Sequence, residues 1–251
     1  MTGAPTIVAL RNVGKTYDSG TVALDGFNLD VQGGEFVALL GPSGCGKSTV
    51  LRIVAGLSEA TQGAVERPDG NIGFVFQEPT LMPWASVATN VRLPLKLAHA
   101  DDAQAHAAVV QALARVGLAE FAEAYPRELS GGMRMRASIA RALVTEPQLM
   151  LMDEPFAALD EITRFKLNND LLRVWQELRR TVIFVTHSVF ESVYLSQRIV
   201  VMTPRPGRVF AEIPIAAPYP RDEHFRTSAD YAATCRKVAE ALEGAMAEGA
   251  S

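Results

Sequence analysis

The sequence predicts an α/β fold built on a mainly parallel β-sheet, with an antiparallel β subdomain near its start and an inserted helical subdomain. Short apolar segments alternate with helix-like segments along most of the chain, and this order favours a parallel sheet covered by helices on both faces. Residues 21–30 and the turn-like residues 32–34 favour antiparallel strands instead. Residues 83–130 contain an alanine-rich helical segment and no convincing strand.

Each predicted strand is a short apolar segment bounded by turn residues; the segments are residues 7–13, 35–40, 71–76, 149–152, 181–185 and 198–202. The predicted helices are residues 47–55, 101–116, 131–144, 161–180 and 188–195. A turn at residues 203–208 precedes an edge strand at 209–213, and residues 228–248 form a closing helix. We expect one domain over residues 1–251, with a helical subdomain at about 83–130 and a C-terminal extension at about 203–251.

Composition narrows the setting and the partners of the protein. A chain of 251 residues can bury one large core, and its net charge of -4 gives no general reason to bind nucleic acid or anionic lipid. The two cysteines are too few for a disulfide framework, which favours a reducing, cytosolic setting. Residues 1–12 lack the pattern of a secretion signal, and no segment reaches the roughly 18 to 20 apolar residues that cross a bilayer. We expect another subunit to span any membrane involved.

A phosphate-binding loop is the clearest motif in the sequence. The pattern G-x-x-x-x-G-K-[ST] is matched by Gly41, Pro42, Ser43, Gly44, Cys45, Gly46, Lys47, Ser48 and Thr49, after a strand and at the start of a helix. Backbone N–H groups of such a loop surround phosphates, Lys47 is expected to reach the β- and γ-phosphates, and the Ser48 hydroxyl is expected to bind magnesium. Because Cys45 lies within the loop, we expect its alkylation to block nucleotide binding. The alternative is a glycine-rich turn without a ligand.

A pair of carboxylates follows the apolar strand at residues 149–152. Asp153 suits the second coordination shell of magnesium, and Glu154 suits the polarisation of an attacking water as a general base. An apolar strand that ends in acids is common, but together with the phosphate loop it indicates an ATPase.

Three polar residues lie just past predicted strand ends, at the edge where open α/β sheets bind ligands. These residues are Gln77, Asp160 and His187. For His187, the alternative is a histidine that caps the next helix.

A second anion site is predicted at Ser130, Gly131 and Gly132, which lie at the start of a helix. Their N–H groups and the Ser130 hydroxyl could bind a phosphate. Because the loop at residues 41–49 already holds the nucleotide, two phosphate sites in one chain need an explanation.

Together these motifs resemble the ATP-binding subunits of ABC transporters, a branch of the P-loop NTPases. The resemblance extends from residue 7 to about residue 212 and includes the order of the motifs. In that family two ATPase subunits face each other head to tail, so the LSGG segment of one closes over the γ-phosphate held by the other. The resemblance therefore explains two anion sites in one chain and implies a second ATPase subunit, most simply in a homodimer, with ATP and Mg2+ as ligands.

The resemblance also implies a role for individual residues. Tyr17 would stack on adenine, although a surface tyrosine in a strand is the alternative. Gln77 would contact magnesium and the attacking water, His187 would hold the γ-phosphate, and Asp160 would communicate between the two subunits.

Several features resemble one branch of the family, the importers of nitrate, sulfonate and taurine. Met133 replaces a glutamine that usually follows LSGG, and Met135, which replaces another, is a less familiar departure. The branch is also suggested by the turn at residues 203–208 and by Trp84. Trp84 would lie near Gln77, where a helix of the permease docks, unless it packs inside the subdomain.

The sequence thus predicts an ABC-type ATPase on the cytoplasmic face of the inner membrane, bound to transmembrane permease subunits and served by an extracytoplasmic solute-binding protein. The resemblance to the branch of nitrate, sulfonate and taurine importers implies a small anion as the solute. An exporter ATPase is an alternative. A soluble ABC ATPase acting on nucleic acid would need a coiled-coil arm or two fused cassettes, and a small-molecule phosphotransferase would not explain Ser130, Gly131 and Gly132.

Overall fold

A computed structural model describes residues 4–248. The predicted C-terminal extension therefore has its last three residues, 249–251, outside the described part. The chain forms two compact units. The first runs up to Asp69 and includes Leu151–Glu154 and the chain from Arg179 onward, whereas the second comprises Gly70–Met150 and Pro155–Leu178.

Strands and helices alternate as the sequence predicts. The strands are β1 (Thr6–Thr16), β2 (Val22–Gln32), β3 (Phe36–Leu40), β4 (Gln62–Glu66), β5 (Ile72–Val75), β6 (Leu149–Asp153), β7 (Thr181–Thr186), β8 (Arg198–Met202) and β9 (Val209–Pro214). The helices are α1 (Lys47–Val54), α2 (Val87–Leu97), α3 (Asp102–Arg115), α4 (Gly131–Leu143), α5 (Glu161–Leu178), α6 (Val189–Leu195), α7 (Glu223–Arg226) and α8 (Ala229–Glu248), with 3-10 turns at Ala119–Phe121 and Pro126–Glu128.

The antiparallel sheet predicted near the start of the chain is confirmed. It lies in the first unit with the strand order β2-β1-β4, and β1 pairs antiparallel with both neighbours. Val8, Leu10 and Val13 of β1 are fully buried, whereas Arg11 and Asn12 are exposed. One face of the sheet is therefore packed and the other meets solvent.

The parallel sheet places several strand ends at one edge. The strand order of this sheet is β5-β6-β7-β3-β8-β9. Strand β5 and the first two residues of β6 belong to the second unit, and the other strands belong to the first. Leu40 at the end of β3 pairs in parallel with Thr186 at the end of β7. Strands β3 and β7 are completely buried, as expected for central strands of a sheet covered on both faces. The residues that follow them therefore emerge at the same edge.

Three elements went unrecognised in the sequence. Strand β4 is almost entirely exposed, so it lacks the apolar alternation on which strand prediction depends. Helix α2 contains Pro94, which normally interrupts a helix, but its start is fixed by Ser86, whose side chain accepts a hydrogen bond from the Thr89 N–H. Helix α7 is only one turn long. The edge strand and closing helix predicted after residue 203 are confirmed as β9 and α8.

A membrane-spanning helix needs about 20 mostly apolar residues. Between residues 4 and 248, no helix combines the length and the apolar character needed to cross a bilayer.

Candidate nucleotide site

The phosphate loop lies between β3 and α1, as its sequence pattern requires. Gly46 immediately precedes the helix with a φ of 105°, a conformation that side chains disfavour. A Cβ atom at this position would also lie 2.8 Å from the Ala23 carbonyl oxygen. Glycine is therefore required here for the loop to curl closely around the start of the helix.

Lys47, the first residue of α1, is buried and folds back across the loop. Its Nζ atom donates hydrogen bonds to the carbonyl oxygens of Gly41 at 2.8 Å and Pro42 at 2.9 Å. The same atom lies 3.5 Å from Oε1 of Glu154. A fixed ammonium group at a helix N-terminus is well suited to binding a polyphosphate.

Ser48 and Asp153 are joined by a hydrogen bond close to this lysine in the phosphate loop. The Ser48 hydroxyl donates to Oδ1 of Asp153 at 2.8 Å. Burial raises the pKa of the Asp153 carboxyl, and the hydrogen bond from Ser48 partly opposes this rise. Hydroxyl and carboxylate oxygens are donors that magnesium accepts, so the pair fits that ion. Across residues 4–248, no three His, Cys, Asp or Glu side chains gather as a metal site.

Glu154 and His187 meet at the edge formed by the ends of β6 and β7. The ring Nδ1 of His187 lies 3.0 Å from Oε2 of Glu154. The Glu154 N–H donates to the Val185 carbonyl at 3.0 Å, and its φ is 45°. A left-handed conformation is unfavourable for a residue other than glycine and occurs often at active sites. Here it directs the carboxylate toward both Lys47 and His187.

Tyr17 lies just after the end of β1 and so is not part of the strand. Its side chain is half-buried. Its hydroxyl shares a hydrogen bond of 3.1 Å with the Thr49 hydroxyl at the other end of the phosphate loop. Nζ of Lys15 lies 5.3 Å from the centre of the tyrosine ring, which is within range of a cation–π contact. Lys15 was missed in the sequence because nothing in its spacing points to a site.

The LSGG segment lies in the second unit, at the start of α4. Ser130 caps this helix, and its hydroxyl accepts a hydrogen bond from the Met133 N–H at 3.2 Å. A Cβ atom at Gly132 would lie 2.8 Å from Cγ2 of Thr163, so α4 and α5 approach closely there. Ser130 itself is exposed. The N–H groups at the start of α4 therefore lie at an exposed, capped helix N-terminus, a kind of site that binds anions.

Asp160 and Gln77 also belong to the second unit. Oδ1 of Asp160 accepts a hydrogen bond from the Thr163 N–H at 3.0 Å, and this bond lowers the pKa of the carboxyl. Gln77 is exposed and lies shortly after β5. The structure thus brings Lys47, Ser48, Asp153, Glu154 and His187 together in the first unit. The roles predicted for Gln77 and Asp160 stay predictions.

Cys45 lies within the phosphate loop, but its side chain is buried. Its side chain is 1% exposed, and burial raises the pKa of the thiol. A Cβ atom at Gly41 would lie 2.8 Å from the sulfur, so the thiol packs tightly beneath the loop. A thiol reagent therefore reaches this sulfur only after local opening, and the expected block of nucleotide binding by alkylation stays a prediction.

Comparison with known proteins identifies the family. Residues 24–157 match the family model described as ABC transporter. The chain is 48% identical over 204 residues to the aliphatic sulfonates import ATP-binding protein SsuB 1 of Pseudomonas syringae pv. syringae, an alignment that covers 81% of this chain and 84% of that protein. The chain belongs to the ABC transporter family. It is the ATP-binding and ATP-hydrolysing kind of subunit, as the motifs predicted.

Two further comparisons support this assignment of an ABC ATPase. An uncharacterized ABC transporter ATP-binding protein of Methanocaldococcus jannaschii is 46% identical over 228 residues, covering 88% of this chain and 84% of that one. A solved dimeric ATP-binding cassette in a post-hydrolysis state, bound to ADP and Pi, matches with a TM-score of 0.73 and 34% identity over 84% of this chain and all of that chain. The α/β fold class is thereby confirmed.

Proposed function

We propose that this ABC ATPase powers the uptake of a small anion through separate permease subunits. The proposal for hydrolysis depends above all on the contacts among Lys47, Glu154 and His187. They place an ammonium group that can bind phosphate next to a carboxylate that can act as a base. The direction of transport is supported by the similarity to a subunit named for aliphatic sulfonate import.

In the proposed site the backbone of residues 41–49 and the Lys47 ammonium bind the phosphates of ATP, while the Tyr17 ring stacks on adenine. Ser48, Asp153 and Gln77 would hold magnesium, which neutralises charge on the phosphates when it is bound. Glu154 accepts a proton from the attacking water. His187, held against Glu154, contacts the γ-phosphate.

The second anion site is proposed to act across a dimer. Ser130, Gly131 and Gly132 of one chain would cover the γ-phosphate bound by the other, and Asp160 would lie near the contact between the subunits. This arrangement is supported by the capped, exposed start of α4 and by the dimeric form of the solved cassette. ATP would then close two chains together, and hydrolysis would release them.

Trp84 is proposed to anchor the permease. Its side chain is 77% exposed, contrary to the alternative in which it packs inside the subdomain. It lies with Tyr125, Arg92, Lys96 and Glu123 around a groove of about 570 Å³ in the second unit. An exposed tryptophan beside aromatic and charged side chains is typical of a binding anchor. The proposed occupant is a short cytoplasmic helix of the permease, which would hold this ATPase at the cytoplasmic face of the inner membrane.

The test is reconstitution with the permease encoded by a neighbouring gene and with its extracytoplasmic solute-binding protein. Trp84→Ala should reduce ATP-driven uptake of a radiolabelled alkanesulfonate by tenfold or more while the isolated chain hydrolyses ATP at its normal rate. Phe190→Ala, which alters another exposed aromatic side chain, is the matched control and should transport normally. Solute movement in the opposite direction would support the exporter alternative, and normal uptake by Trp84→Ala would refute the docking site.

A further inference from the structure

The turn at residues 203–208 lies directly against the phosphate loop. Both Nε and Nη2 of Arg205 donate to the Gly44 carbonyl oxygen, at 3.2 and 3.1 Å. Gly44 is exposed and has a φ of 77°, so its peptide groups are not held within a helix or strand. Arg205 therefore supplies a partner for a backbone carbonyl in the middle of the loop.

The turn that carries Arg205 is itself firmly held. The Thr203 N–H donates to the Arg208 carbonyl at 3.0 Å, and the Arg208 N–H donates to the Thr203 hydroxyl at 3.0 Å. The Gly207 N–H donates to the Ala23 carbonyl in β2 at 2.9 Å. A Cβ atom at Gly207 would collide with the Cys45 carbonyl oxygen, so the turn packs closely on the loop.

We propose that Arg205 is a positioning residue for ATP: it holds the Gly44 carbonyl and so fixes the phosphate loop in the conformation that receives the nucleotide. The Gly44 carbonyl shares its peptide group with the Cys45 N–H, which donates to the Pro42 carbonyl at 3.3 Å within the loop. A charged donor on the Gly44 carbonyl polarises this peptide and strengthens that hydrogen bond, so the loop keeps its curled conformation. The guanidinium also adds permanent positive charge beside the loop. This inference depends on the proposed nucleotide site.

Arg208 is a matched control because it lies in the same turn and, like Arg205, has an exposed side chain. Its guanidinium pairs with Asp25 instead of the phosphate loop. Removing either arginine leaves a similar surface defect, but only Arg205 loses the contact with Gly44.

The experiment measures ATP affinity by displacement of a fluorescent nucleotide, together with kcat and KM, on the full chain. Arg205→Ala should raise the Kd for ATP about tenfold and change kcat less than twofold, because two charge-assisted hydrogen bonds to the loop are lost. Arg205→Lys keeps the charge without the planar fork and should raise the Kd about threefold. Arg208→Ala should bind ATP like the wild type.

The outcomes separate this inference from the proposed site. Lys47→Ala should abolish ATP binding; if it does not, the proposed nucleotide site is wrong. If it does, but Arg205→Ala and Arg205→Lys bind ATP normally, only the role of Arg205 is refuted. An equal loss in Arg208→Ala would also refute it, since the effect would then come from general damage to the turn. If Arg205→Ala does not fold, a wild-type Kd in Arg205→Lys refutes the role.

Discussion

The Nδ1 atom of His187 lies 3.0 Å from Oε2 of Glu154, and Oε1 of the same carboxylate lies 3.5 Å from the Lys47 ammonium. One carboxylate thus connects a cation at the phosphate loop with a histidine at the end of β7. A general base needs such contacts to keep its position while it accepts a proton.

Glu154→Gln should bind ATP with nearly normal affinity but hydrolyse it about a hundredfold more slowly or worse. The amide has the same shape and can keep a hydrogen bond with His187, but it cannot act as a base at neutral pH. Nucleotide binding at equilibrium and phosphate release at saturating ATP measure the two effects separately. Glu240→Gln, at an exposed position on α8, should hydrolyse ATP normally. Near-normal turnover in Glu154→Gln would exclude it as the base.

The composite site predicts recovery of activity when two inactive variants are combined. Ser130→Arg removes the helix cap and places a bulky side chain at the second anion site. Lys47→Ala removes the ammonium group that binds the phosphates of ATP. A heterodimer of the two retains one intact site, so it should recover up to about half of the wild-type ATPase rate if the sites act independently. The measurement is ATP hydrolysis by heterodimers purified through two different tags. Fully formed heterodimers without activity would refute the composite site.

Asp153 predicts a pH-dependent stability of the nucleotide-free protein. Burial raises the folded-state pKa of Asp153, so ionising the carboxyl costs more free energy in the folded chain than in the unfolded chain. The cost of ionising Asp153 is absent below the unfolded pKa, near 4, and reaches its full value above the folded pKa. Asp153→Asn should therefore raise the melting temperature by a few degrees at pH 7.

This gain should shrink as the pH falls toward 4, because both side chains are then neutral. Thermal unfolding without nucleotide at several pH values measures this gain in melting temperature. With ATP bound, adding magnesium should raise the melting temperature of the wild type but not that of Asp153→Asn. A gain that grows on acidification would contradict the sign of the pKa shift.

The sequence was sufficient to predict the sheet, the loop and the carboxylates because each has a local signal. Strand β3 is a continuous apolar segment, and the pattern around Lys47 is nearly unique to phosphate loops. Helix α2 was missed because Pro94 argues against a helix, and the fold accommodates that residue within it.

Contacts made by distant segments could not be predicted in the same way. Arg205 and Gly44 are far apart in sequence, and nothing local in either segment indicates that they form two hydrogen bonds. The orientation of Cys45 has the same cause. Its position within the loop suggested contact with phosphate. A Cβ atom at Gly41 would lie 2.8 Å from the Cys45 sulfur and 3.2 Å from Cβ of Met202, so the space beneath the loop is closed partly by the distant strand β8.

Cys45 should react slowly with a thiol reagent in the native protein. The side chain is 1% exposed, and its raised pKa reduces the fraction of reactive thiolate. Modification must therefore wait for local opening. Cys235 is also buried, so Cys235→Ala is used to isolate the signal of Cys45.

With Ellman's reagent at pH 8, native Cys235→Ala should react at least a hundredfold more slowly than the same chain unfolded in guanidinium chloride, the ratio expected when opening costs about 3 kcal/mol or more. Cys45→Ala in the Cys235→Ala background gives the blank. Reaction at the rate of the unfolded chain would contradict the burial of this thiol and would mean that the reagent reaches the phosphate loop without local opening.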